Sequence, residues 1–90
     1  DDVETSYYLR MQVVDKPGVM AEITRILADN HISISAMIQK EASDDSDKVS
    51  IIMLTHTTLE RSINVAIKGI ESLPVVTNQV FRIRIEELNK

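Results

Sequence analysis

The apolar residues of this chain alternate, then fall on a helical stripe, then alternate twice, then form a second stripe, then alternate again. That succession limits the folds open to it. Residues 6–14 (SYYLRMQVV) put Tyr7, Leu9, Met11 and Val13 on one face and Tyr8, Arg10 and Gln12 on the other. A period of two predicts a strand with one buried face. Asp15-Lys16-Pro17-Gly18 interrupts it. Val19, Met20, Ile23, Ile26 and Leu27 then recur at helical spacing, with Glu22, Arg25 and Asp29 off the stripe. Pro17 suits the first helical position, and Asp15 can offer its carboxylate to the free amides of the first turn. Asn30 is the expected left-handed stop.

Alternation resumes with Ile32, Ile34, Ala36 and Ile38 facing one way and Ser33, Ser35, Met37 and Gln39 the other. Lys40 to Lys48 is polar and reads as a hairpin loop. Val49 to Thr55 is more continuously apolar, which suits a central strand. Thr57-Thr58-Leu59-Glu60 matches a capping box with Thr57 as the cap. Ile63, Ala66, Ile67 and Ile70 make the second helical stripe. Gly69 inside it costs about 1 kcal/mol against Ala, and a close helix contact is the expected reason. Pro74 closes the helical region. From Val80 to Glu86, alternation predicts Phe81, Ile83 and Ile85 inward and Arg82 and Arg84 outward.

The order β-α-β-β-α-β is that of the α+β, ferredoxin-like split βαβ plan. Right-handed crossovers place both helices on one face of a four-stranded antiparallel sheet. The expected strand order is 4-1-3-2, with the second and fourth strands at the edges.

Ninety residues, 43% of them hydrophobic, predict one domain over 1–90, with a core from 6 to 88 and a frayed start at 1–5. The chain does not begin with Met, which suggests a piece of a longer protein. No secretory leader is expected from the acidic start, and no apolar run of membrane-spanning length is present, so the expected compartment is the cytoplasm. Cysteine is absent, which excludes disulfides, thiolate nucleophiles and Cys-ligated metals. A net charge of −4 argues against nucleic acid and anionic membranes as partners.

Catalytic chemistry finds little to work with. His31 and His56 sit at element ends without a spaced carboxylate partner. Glu86 and Glu87 point to opposite sides of a strand end. Asp44, Asp45 and Asp47 lack the spacing of a calcium loop. With only Gly18 and Gly69, the chain encodes neither a P-loop nor a dinucleotide fingerprint. No metal, cofactor or catalytic residue is therefore expected. RNA-recognition modules share this topology but stack bases on aromatics of the central strands. Here Val49 to Thr55 has none, and the first strand has only Tyr7 and Tyr8 near its start. Arg10, Arg82 and Arg84 are expected to form a basic stripe on the open sheet face, suited to a neighbouring domain or to carboxylates. A phosphate-hydrolysing enzyme of the acylphosphatase type would need an Arg in the first loop, where this chain has Asp15.

The first strand-to-helix turn is the one informative constellation. Backbone N–H groups gather at a helix N-terminus, where the dipole favours an anion. Gly18 lets a ligand approach the backbone. Asp15 can hold an ammonium group. Amides and a carboxylate together suit the two ends of a free α-amino acid. Equally, Pro17 and Gly18 can do no more than shape a turn while Asp15 caps it.

Val14-Asp15-Lys16-Pro17-Gly18-Val19-Met20-Ala21-Glu22-Ile23 resembles the D-x-P-G-V-L-A-x-I signature that opens ACT domains. Ile26 to Ile34 resembles the family's helix end followed by an N-I-x-I strand. Residues 35–41, 51–56 and 82–88 resemble the C-terminal regulatory ACT domain of bacterial homoserine dehydrogenases. The resemblance implies pairing of two copies through the second strand, with an amino-acid effector between the first turn of one copy and the second strand of the other. By position, the contacts would be Asp15, Lys16, Pro17, Gly18, Val19 and Met20 with Ser33, Ile34 and Ser35. It further implies threonine as the effector and feedback inhibition in threonine and methionine biosynthesis. NAD(P) would belong to the parent's catalytic domain. The runner-up reading is a ligand-free assembly domain. Amino-acid-binding relatives carry Asn at the positions of Asp15 and Ser33. Asp15 cannot donate to an effector carboxylate, and Ser33 reaches less far than Asn.

Overall fold

The computed structural model describes residues 4–41 and 47–85. Asp44, Asp45, Glu86 and Glu87 lie outside them. The elements run β1 (Glu4–Val14), α1 (Val19–Asp29), β2 (Ile34–Glu41), β3 (Lys48–Thr55), β4 (Thr58–Leu59), α2 (Glu60–Glu71) and β5 (Phe81–Ile85). β1 pairs antiparallel with β3 and with β5, and β2 pairs antiparallel with β3. The sheet order is thus β5-β1-β3-β2, the ferredoxin-like order expected, with β2 and β5 at the edges. The two-residue β4 pairs with Glu4 and Thr5 at the head of β1.

Both helices cover one face of the sheet. Tyr7, Leu9, Met11 and Val13 of β1 and Val49, Ile51 and Met53 of β3 are buried there. Val19, Ile23 and Leu27 of α1 and Ile63, Ala66 and Ile70 of α2 meet them. Each such fully buried large side chain contributes about 1.5–3 kcal/mol. Gly69 of α2 packs on α1: a Cβ added there would lie 3.3 Å from Ile26 Cγ2. The close helix contact expected of Gly69 is present.

Several local expectations are corrected. Gly18, not Asp15, occupies the cap position of α1, at φ 87° and with no side-chain cap. Pro17 lies in the turn before the helix rather than at its first position. Asn30, at φ −101°, is not left-handed; His31, at φ 62°, is. His31 N–H donates to Ala28 O and Ile32 N–H to Leu27 O, each at 2.9 Å. These two bonds form a Schellman motif with His31 as its left-handed residue. Asn30 Nδ2 instead donates to Ile26 O at 2.8 Å. The Thr57 capping box does not form either. Leu59 is the cap residue of α2, without a side-chain bond, because Thr58 is drawn into pairing with Thr5 and buried.

Alternation along β2 breaks at a register shift between Ile34 and Ala36. Ile34 pairs with Thr55, which is buried on the helix side, whereas Ala36 and Ile38 pair with Leu54 and Ile52 on the open side. A residue inserted into one strand turns the following side chains to the other face. The four isoleucine and alanine positions therefore do not share a face.

β5 is inverted relative to expectation. Directly opposed residues share a sheet face. The pairs Tyr8↔Ile83 and Arg10↔Phe81 put Ile83 and Phe81 on the open face, and Leu9↔Arg82 puts Arg82 on the helix side. Arg82 donates to Asn64 and Arg84 pairs with Glu60, both on α2. An edge strand lies at the margin of the helix layer, where a long arginine can lay its stem along the helix flank and keep its head in water. The expected open-face stripe of Arg10, Arg82 and Arg84 does not exist. Among the described residues no helix is long and apolar enough to cross a membrane.

Candidate functional site

The turn after β1 is pinned by its backbone. Val14 N–H donates to Val75 O at 2.8 Å and Asp15 N–H to Asp47 O at 2.7 Å. α1 begins at once, with Glu22 N–H donating to Gly18 O at 3.1 Å. The positive φ of Gly18 explains why glycine stands there, since other L-residues are strained in that region. A Cβ added at Gly18 would meet nothing within 4 Å. No side chain caps the mouth of α1. Val19 N–H donates to Lys16 O at 3.3 Å, which leaves the amides of Met20 and Ala21 as those without a partner in the first turn among the described residues.

Asp15, Lys16, Pro17 and Gly18 are exposed. Val19 is buried, and Met20 is half-buried against the core. These last two anchor the turn on the core, and of their side chains only that of Met20 is partly open to a ligand. Ser33 and Ser35 are exposed and Ile34 is half-buried. Ser33 O accepts from His56 N–H at 2.9 Å, which ties the start of β2 to the end of β3.

Within one chain the two groups do not meet. β1 and β2 both run antiparallel to β3, so they run parallel to each other. The turn follows Val14, opposite Lys48 at the start of β3, while Ile34 lies opposite Thr55 at its end. The 11 residues of α1 separate the two ends, a rise of about 16 Å. The outer edge of β2 has no strand partner among the described residues. Antiparallel pairing of two β2 edges would carry the turn of one copy to the β2 start of the other.

Among the described residues no three His, Cys, Asp or Glu side chains converge as a metal site would require. Sequence reasoning missed a different cluster. On the open face Tyr8 packs edge-on to Phe81, ring centroids 6.5 Å apart, and the Arg10 guanidinium lies 4.9 Å from the Phe81 centroid. Its signal lies in the β1–β5 register, which the alternation of β5 alone does not contain.

Residues 7–84 match the family model of the ACT domain. A homoserine dehydrogenase of Methylobacillus glycogenes is 51% identical over 89 residues, covering 99% of this chain and 22% of the relative. That of Pseudomonas aeruginosa is 44% identical over 86 residues, covering 96% and 20%. The crystal structure of a homoserine dehydrogenase from Thiobacillus denitrificans superposes with a TM-score of 0.86 at 53% identity, over 97% of this chain and 19% of that one. The ACT domain of a GTP pyrophosphokinase from Chlorobium tepidum shares the fold, with a TM-score of 0.71 at 15% identity over 90% of this chain and all of that one. This chain spans about a fifth of the length of the homoserine dehydrogenases it matches. The chain belongs to the ACT domain family, and what it matches in these homoserine dehydrogenases is a segment of each.

Proposed function

We propose that this domain regulates a homoserine dehydrogenase by binding a free amino acid, threonine, where two copies meet. The observation that carries the reading is the separation of the two halves of the candidate site. The mouth of α1, which no side chain caps, and the exposed Ser33 and Ser35 lie at opposite ends of the sheet. Only a second copy, set antiparallel along β2, completes the site. The amides of the turn would take the effector's carboxylate. Asp15, which makes no capping bond, would take its ammonium group, and Ser33 and Ser35 its hydroxyl.

Effector binding at such a junction biases how the attached catalytic parts are held, provided the effector prefers one arrangement of the two copies. The parent enzyme would be cytoplasmic and use NAD(P) in its catalytic part, with threonine closing a feedback loop on threonine and methionine biosynthesis. The domain itself would carry neither cofactor nor catalytic residue.

Titration calorimetry with threonine on the dimer tests the reading. Saturable heat is expected, and silence at millimolar threonine overturns it. Sedimentation with and without threonine separates it from a ligand-free assembly domain, whose dimer would be indifferent to the amino acid.

A further inference from the structure

Register arranges the open face of the sheet into rungs. One rung runs Ile83, Tyr8, Leu54 and Ala36 across β5, β1, β3 and β2. The next runs Phe81, Arg10, Ile52 and Ile38. Beyond it Gln12, Ser50 and Lys40 make a polar margin. The only charge in the two apolar rungs, Arg10, stacks on Phe81. Ile38 is 57% exposed, Ile83 48% and Phe81 47%. Large apolar side chains gathered on one face of a small domain mark a contact surface.

Size decides between occupants. With strands about 4.8 Å apart and successive rungs about 6.8 Å apart, two rungs of four residues cover roughly 260 Å² in projection. A stable association of separate molecules buries about 800 Å² on each partner. A second copy pressed face to face on this patch alone falls far short. A partner joined by the same polypeptide does not need that area, because a tether holds it at roughly millimolar effective concentration.

We infer that the open face of the sheet docks against the remaining part of the same homoserine dehydrogenase polypeptide, an inference that rests on the parentage proposed above. The docked surface is apolar, with a carboxylate set to meet the guanidinium edge of Arg10. An arginine stacked on an aromatic ring keeps its fork of N–H donors for a planar acceptor. Signals from a dimer formed along β2 would pass through this face, since Ala36 and Ile38 belong both to the edge strand and to the two rungs.

Hydroxyl-radical footprinting without added amino acid tests the inference on the full-length enzyme and on the 90-residue chain. Oxidation of Tyr8, Phe81 and Leu54 is expected to slow at least threefold in the full-length enzyme. Ile38→Asp or, independently, Arg10→Glu should restore the faster rate there, while the short chain stays folded and its folding constant falls no more than about fivefold, the roughly 0.5–1 kcal/mol of the Arg10–Phe81 stack. Equal rates in both forms overturn the inference. So does protection of the short chain that grows with its concentration, which would assign the face to a second copy. Homoserine oxidation by the full-length enzyme is assayed alongside. Activity without protection defeats the docking alone, whereas absence of activity defeats the parentage and the docking with it.

Discussion

Gly69 of α2 faces Ile26 of α1 across the helix pair, and a methyl group on Gly69 would sit 3.3 Å from Ile26 Cγ2. Two effects oppose each other in Gly69→Ala. Alanine favours the helix by about 1 kcal/mol, while the contact is tighter than a relaxed carbon pair. The expected net change is near zero. In an Ile26→Ala background the crowding disappears, and Gly69→Ala should then stabilise by about 1 kcal/mol. Urea unfolding of the four species of this double-mutant cycle measures the coupling, and additivity would show that the helices do not touch there.

His31 ends α1 in a conformation that suits glycine, at φ 62°. Its N–H still completes the Schellman pair through Ala28 O. His31→Gly keeps that bond and removes the steric cost of a Cβ in the left-handed region, so stability should rise by about 1 kcal/mol. His31→Val should lower it by more than that, because a β-branched residue is strained there. Thermal unfolding of both variants checks the order.

Where the sequence predicted well and where it failed share one cause. Residues read correctly, such as Leu9, Ile23 and Ile63, have a whole repeat around them, and each is fully buried. Gly69 was also legible, because a glycine within a helical stripe needs a packing reason. Asn30 was misread as the left-handed stop because its neighbour His31 can also take that conformation, and it is His31 that does, at φ 62°. The Thr57 box failed because Thr58 had a competing partner in Thr5, a distant residue. In β5 alternation established two faces but not which was inward. That choice came from Asn64 and Glu60 on α2, which meet Arg82 and Arg84. The candidate site was legible as a motif. Its division between two copies came only as what the family resemblance implies, and the register of β1 and β2 on β3 adds the physical reason, placing the two halves at opposite ends of the sheet.

Tyr7 carries a buried hydroxyl with no hydrogen-bond partner among the described side chains and backbone. Its ring fills the core at 2% exposure, and its N–H donates to Thr55 Oγ1 at 3.1 Å. An unpaired buried hydroxyl costs about 1–3 kcal/mol. Tyr7→Phe keeps the ring and the backbone bond, so the expected result is a gain of about 1 kcal/mol in chemical denaturation. A loss of that size would mean that the hydroxyl is satisfied in solution.

The inverted face of β5 predicts unequal costs for two isoleucines. Ile63 is fully buried and Ile83 is 48% exposed. Ile63→Ala should cost about 2–5 kcal/mol through lost burial and the cavity left behind. Ile83→Ala in the 90-residue chain should cost under about 1 kcal/mol. Comparable losses would return Ile83 to the core and undo the register of β1 with β5.

Gly18 allows strain and recognition to be separated. At φ 87°, with nothing within 4 Å of an added Cβ, the cost of a Cβ there comes from backbone conformation rather than from collision. Asn and Asp tolerate the left-handed region better than Ala does. Gly18→Asn and Gly18→Asp should therefore each destabilise by less than Gly18→Ala, which is expected to lose about 1–2 kcal/mol. The two are nearly equal in shape and differ in charge. If the amides of α1 hold the effector's carboxylate, Gly18→Asp should weaken threonine binding at least about tenfold more than Gly18→Asn, a difference of about 1.4 kcal/mol in calorimetry. Equal loss in the two variants would mean that the side chain merely fills the space, and that the anionic end of the ligand lies elsewhere.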